Sequence, residues 1–226
     1  MPRPAPAARK RAPAKTITRK RIRQDLRLAL LDLIVMGKLK GGEKINESRI
    51  SRLLKSSRTP LREALLQLER EGLVRSDLRR GFTVEPLSTR EVRELYPILA
   101  QLECLAVRAS AKFIPATLPE LARINSQFSR ARVPRRALEL DTLWHNTLIS
   151  QSKNARLAAL IATLRLAIRR YEHFYMSDAK LIPTSVTQHR AILAAFRKSD
   201  LEAAIAAIEE NYLFGMQILL RKMGEE

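Results

Sequence analysis

Two stretches of the chain place reactive side chains at helical spacing. In "ELDTLWHNTLIS", Asp141 and His145 are four residues apart, which puts a carboxylate and an imidazole on one face of a helix. Such a pair can share a divalent metal, although alone it more often serves as a surface ion pair or a hydrogen-bonded core histidine. In "SRTPLREALLQLEREGLV", Ser57 to Val74, Arg58 and Arg62 charge the mouth of an amphipathic helix that ends at Gly72. A helix N-terminus favours anions, so cations placed there need a partner, and DNA phosphates and guanine edges would supply one. Arg58 and Arg62 can face a major groove while Leu61 and Leu65 turn to a core. A surface helix with stray arginines is the plainer alternative, and the elements on either side of this helix weigh against it.

Little else has the residue types for chemistry. The other two histidines are His173 in "RRYEHFY", which reads as half-buried or surface, and His189 in "QHRAILAAF", which starts an apolar-striped helix. The single cysteine, Cys104, sits among Leu102, Leu105 and Ala106 and reads as a small buried apolar residue in a reducing compartment. No nucleophile–base set, Gly-rich phosphate loop or H-E-x-x-H motif occurs. No apolar run approaches the roughly 20 residues of a membrane span, and the N-terminus lacks an apolar signal core, so a cytoplasmic protein is expected.

The net charge of +19 points to a polyanionic partner. Residues 1–24 hold nine basic and no acidic side chains, and residues 25–88 hold 13 basic against 9 acidic, so 13 of the 19 charges precede residue 89. The N-terminal charge reads either as a solubilising tail or as a basic arm on nucleic acid.

The elements that must position these residues follow from periodicity. Prolines 2, 4, 6 and 13 predict a disordered arm over 1–17. Leu26, Leu30, Leu33 and Ile34 give a helix stopped at Gly37, and Asn46 caps a short helix with Ile50, Leu53 and Leu54. A third helix starts near Ser57 to Thr59, whose hydroxyls can cap it. Two short alternating runs around Asp77 to Gly81 then signal a β-hairpin. Three helices and a hairpin make a winged helix-turn-helix over 18–87. Residues 88–226 carry only helix signals: capping boxes at Ser88–Glu91, Thr117–Glu120 and Ser199–Glu202, an Asn154 cap before Leu157, Leu160, Ile161, Leu164 and Ile168, and two helices near 134–151 and 184–198. The expected fold is mainly α: an N-terminal winged helix-turn-helix followed by an all-α antiparallel bundle of about six helices.

The run "GKLKGGEKINESRISRLLKSSRTPLREALLQLEREGLV" with "RRGFTVEPL" resembles the DNA-binding domain of GntR-type bacterial transcription regulators, and the helical half resembles the ligand-sensing FCD domain of their FadR subfamily. The resemblance implies that Ser57, Arg58, Thr59 and Arg62 contact an operator, that Gly81 belongs to the wing tip, with Arg49 and Arg80 adding charge to that surface, and that a homodimer reads a short inverted repeat. Lys55 and Ser56 stand where the family usually has a Gly-Val turn. The FCD pattern further implies a zinc or nickel site of Asp141, His145 and His189, with Asn211 in the place of the last histidine, and a small-molecule effector such as an organic acid. Many relatives carry an arginine where this chain has Leu99, so Arg108, Arg165 and Arg169 are the candidates to face an effector carboxylate.

The expected function is therefore a ligand-responsive transcription regulator, such as a repressor, acting on double-stranded DNA. Its rivals are a metal-dependent enzyme using Asp141, His145 and His189, and a sequence-blind architectural DNA binder resting on the basic arm.

Overall fold

The computed structural model describes residues 19–77 and 81–225. The expected arm over 1–17 and the wing residue Arg80 lie outside the described residues.

Three helices open the fold: α1 (Arg19–Val35), α2 (Glu47–Leu53) and α3 (Arg58–Arg70). Leu26, Leu30 and Ile34 of α1 close over Ile50 of α2 and Leu61, Leu65 and Leu68 of α3, all buried, as the three- and four-residue spacing requires. Gly37 (φ 67°) ends the turn after α1, and Asn46 Oδ1 caps α2 by accepting from Arg49 N at 2.9 Å. The hairpin pairs β1 (Val74–Asp77) with β2 (Gly81–Val84), Val74 opposite Val84. Residues 43–45 add an edge to it, with Ile45 N donating to Phe82 O and Val84 N to Glu43 O.

The second half is a bundle of six α-helices: α4 (Thr89–Ser110), α5 (Leu118–Phe128), α6 (Pro134–Ile149), α7 (Ala155–Met176), α8 (Ile182–Arg197) and α9 (Leu201–Lys222). Ser88 and Asn154 cap α4 and α7 as expected. Two caps differ. Thr117 does not cap α5, because a 3-10 helix over 111–117 runs straight into it and the Thr117 hydroxyl donates back to Ile114 O instead. Asp200, not Ser199, caps α9. Ser199 is already committed to the left-handed turn that ends α8 (φ 57°), where Asp200 N donates to Ala195 O, so capping passes to the next side chain. Leu160 is also 57% exposed and falls outside the α7 stripe.

The halves are tied through the connection between β2 and α4. Arg170 of α7 donates to Glu85 O and to Glu91, both at 2.6 Å, while the Tyr171 hydroxyl donates to Glu91 and accepts from Ser88 N at 3.0 Å. Gly41 packs against this connection so closely that a Cβ there would stand 2.9 Å from Pro86 Cα, which only glycine allows. Arg135 of α6 adds an ion pair to Asp32 of α1 at 3.1 Å.

Candidate nucleic-acid interface and candidate metal centre

Helix α3 buries Leu61, Ala64, Leu65 and Leu68 and leaves Ser57, Arg58, Thr59 and Arg62 exposed. Arg58, Thr59 and Arg62 line an open groove with Glu47 and Ser48 of α2. Two contacts hold the arginines: Arg58 Nη2 donates to Ser48 Oγ at 3.0 Å, and Arg62 Nε meets Glu47 Oε2 at 3.0 Å. Ser57 occupies the cap position but makes no side-chain cap bond, so the hydroxyl and the first amides of α3 stay open to an anion. Gly81 (φ 83°) begins β2 within reach of Glu47, and Arg49 is exposed on α2.

The turn before α3 explains how a Lys-Ser pair replaces Gly-Val. Lys55 N donates to Arg52 O and Ser56 N to Ser51 O, a Schellman turn with Lys55 left-handed at φ 49°. Lysine adopts this conformation at a cost of about 1 kcal/mol that glycine does not carry. Lys55→Gly should raise stability by about that amount in a denaturant melt, with DNA discrimination unchanged, because the side chain is exposed and lies outside the groove.

The bundle holds a partly open cavity of about 50 Å³ whose wall includes Tyr96, Asp141, His145, Glu172, Tyr175 and Asn211. Asp141, His145 and His189 are all buried, and their ligand atoms lie within 4.8 Å of one another. The orientation of both imidazoles follows from their partners. His145 Nδ1 lies 2.9 Å from Glu103 Oε2, an acceptor, so Nδ1 donates there and Nε2 is the nitrogen left for a metal when the ring is neutral. Asn125 donates from Nδ2 to Val186 O, which turns its Oδ1 to His189 Nδ1 at 3.3 Å, and His189 therefore also keeps its lone pair on Nε2. That Nε2 is buried without a hydrogen-bond partner, 3.6 Å from Asp141 Oδ1. Two acceptors, His189 Nε2 and Asp141 Oδ1, facing each other in a buried site suit a shared cation, so the donor set fits a divalent metal. Burial, aided by His145 and Arg165, pushes the His189 pKa well down and favours the neutral, ligating form. Asp141 is pushed up by burial, against the pull of His145 and Arg165. Asn211 lines the cavity and donates to Gln188 Oε1 at 2.9 Å.

The three candidate arginines separate. Arg165 is buried beside the cavity, donating through Nε and Nη2 to Glu103 and through Nη2 to the Tyr212 hydroxyl. Arg108 is on the surface, paired with Glu202, and Arg169 is half-buried; neither lines the cavity. His173 is half-buried near Asp32, with its pKa lowered by burial. Sequence reasoning missed Glu103, Asn125 and Glu172 as parts of the site. Glu103 had one visible signal, an acid embedded in the apolar run "ILAQLECLAV".

A winged helix with an arginine-lined groove, joined to a helical bundle around a buried polar cavity, defines a nucleic-acid reader coupled to a second module. Residues 21–84 match the gntR family of bacterial regulatory proteins and residues 94–212 match the FCD domain. The chain is 30% identical over 185 residues to the HTH-type transcriptional regulator YdhC of Bacillus subtilis (77% of this chain, 80% of that one). It is 31% identical over 178 residues to the Nta operon transcriptional regulator of Aminobacter aminovorans (76% and 83%). Among solved structures, McbR/YncC of E. coli shares the fold with a TM-score of 0.76 at 22% identity, over 90% of this chain and 99% of that one. The chain belongs to the GntR family, as a DNA-binding transcription regulator with an FCD domain. Membership sets it among regulators rather than metal-dependent enzymes. No helix among the described residues is long and apolar enough to cross a membrane.

Proposed function

We propose that the protein is a cytoplasmic, ligand-responsive regulator of the FadR subfamily that binds a short inverted-repeat operator as a homodimer. Residues 18–87 form the reading domain and 88–226 the effector-binding and dimerisation domain, with 1–17 acting as a basic arm along the DNA. The observation that carries this reading is the outward face of α3, where Arg58, Thr59 and Arg62 surround an uncapped helix start while the leucines face inward. Ser57, Arg58, Thr59 and Arg62 meet the major groove. Gly81 lets the wing approach the backbone, and Arg49 and Arg80 neutralise phosphates.

The coupling runs through α7. The same helix places Glu172 in the cavity wall and, with the two residues before it, grips the connection at Glu85 and Ser88. A ligand that shifts α7 shifts the winged domains of a dimer relative to each other, which is how occupancy changes DNA affinity. Asp141, His145 and His189 would hold a zinc or nickel ion, with Asn211 a weak amide neighbour at best. The metal would brace α6, which carries Asp141 and His145, against α8, which carries His189, and offer an open position to an effector donor atom.

Selection of bound sites from random DNA is the test. It should enrich an inverted repeat carrying two chains per duplex by light scattering. Deleting residues 1–17 should weaken binding to every duplex and flatten its salt dependence, since phosphate contacts are sequence-blind. Enrichment of no sequence, or a monomer on a single half-site, would contradict the reading.

A further inference from the structure

Trp144 is the chain's one tryptophan and is fully buried. On α6 it follows Asp141 by three residues and adjoins His145, so the indole shares a helical face with both side chains. His189, the third member of the cluster, comes from α8 and lies flat on that indole, with ring centroids 3.7 Å apart and planes 3° from parallel. Two neutral aromatic rings ordinarily avoid this sandwich and settle offset or edge-on, at about 4.5–7 Å between centroids, because their negative faces repel. A closer stack suits an electron-rich ring set against one that gives up electron density. The indole also carries a cost that an aliphatic or phenyl side chain would avoid, since its Nε1 is buried with no hydrogen-bond partner among the described residues. Packing rather than a polar contact holds it in place. From α5, Asn125 Oδ1 stands 3.3 Å from His189 Nδ1 and Phe128 borders the same imidazole at 5.7 Å between centroids.

We propose that Trp144 is the positioning residue of the metal centre, its indole face fixing the plane of the His189 imidazole and stabilising the charge that ring takes on when it ligates a cation. The proposal rests on reading Asp141, His145 and His189 as a divalent-metal site. The flat stack sets the plane of the ring and Asn125 sets its rotation within that plane, which leaves Nε2 one direction, towards Asp141 Oδ1 at 3.6 Å. Because the indole and two of the three ligands sit on α6, the stack also registers α8 against the helix that supplies the rest of the site. A ligating imidazole donates its Nε2 lone pair and becomes electron-poor, and indole is the aromatic face that gains most from a neighbouring positive charge. Phenylalanine offers a weaker face of the same kind. Leucine fills space and offers none.

The test compares zinc affinity, by competition with a chromophoric chelator, in the full-length wild type, Trp144→Phe and Trp144→Leu, with urea unfolding of each apoprotein alongside. Both variants leave space in the core, so both apoproteins should lose stability. Zinc affinity should separate them: Trp144→Leu should bind at least about tenfold more weakly than wild type, and Trp144→Phe within about threefold. Nickel supplies a second readout on the wild-type chain, whose single indole reports on the ring beneath it. One equivalent should quench the tryptophan emission, and a chelator should restore it. Equal zinc affinity in Trp144→Leu and Trp144→Phe overturns the proposal, as does stoichiometric nickel binding that leaves the emission unchanged. The nickel titration decides the matter even if Trp144→Leu fails to fold. A wild type that takes up neither metal overturns the metal site itself and this proposal with it, whereas a wild type that binds zinc no better than Trp144→Leu overturns the proposal alone.

Discussion

Glu103→Ala should cost the fold about 3–5 kcal/mol, the usual penalty for breaking a buried ion pair by removing one partner. Glu103 is fully buried and accepts from Arg165 and His145. Its removal leaves a guanidinium that is itself buried, and whose Nη1 already has no hydrogen-bond partner, without its hydrogen-bonded counterion, Glu172 standing 3.8 Å away. Equilibrium urea unfolding is the measurement. Glu103→Leu with Arg165→Leu should recover much of the loss, because the cost is the orphaned charge rather than missing attraction. Burial works to raise the Glu103 pKa, but the charges of Arg165 and His145 override it and hold the carboxyl at about 2. The folded pKa is therefore below the unfolded value, so the pair's contribution is present above the usual carboxylate range and is lost as pH falls from about 4.5 towards 2. The Leu/Leu variant should lose that part of the acid limb.

Zinc should raise the stability of the apoprotein by about 2.7 kcal/mol at a hundredfold excess over its dissociation constant, since the ligands converge only in the folded chain. His145→Ala should abolish the gain. Asn211→His should enlarge it, because imidazole is a far better zinc ligand than an amide, and Asn211 already lines the cavity beside His145. The check is a thermal melt of wild type and both variants against zinc, nickel and manganese, with elemental analysis of the purified protein. A wild-type melt indifferent to every metal would assign Asp141, His145 and His189 to the polar wall of a metal-free cavity.

Much of this was legible in the sequence, for a physical reason. Helix stripes such as Leu61, Leu65 and Leu68 and caps such as Asn46 and Asn154 depend on neighbours within one turn, and local spacing records them. The Asp141–His145 pair is likewise an i, i+4 relation. Thr117 and Ser199 misled because their backbones are set by the preceding element: a 3-10 helix in one case and the left-handed end of α8 in the other. The partners of the site were less visible. Glu103 and Arg165 are 62 positions apart, and Asn125 and His189 are 64, so they meet only through the packing of separate helices. Glu172 follows a run of charged and aromatic residues that reads as solvent-facing until α7 is seated against α4 and α9.

The most direct measurement of the central claim is competition binding of wild type and Arg62→Ala to the selected operator and to a scrambled duplex of equal length. Phosphate contacts supply affinity for both duplexes, whereas a bidentate arginine on guanine discriminates between them. Arg62 is exposed in the groove, where it pairs with Glu47, and lies off the buried face of α3, so its loss leaves the core of that helix intact. Arg62→Ala should lose about 1–3 kcal/mol of operator affinity, roughly 5- to 150-fold, with the scrambled duplex nearly unchanged. Full retention of operator preference by Arg62→Ala would contradict α3 as the reading helix.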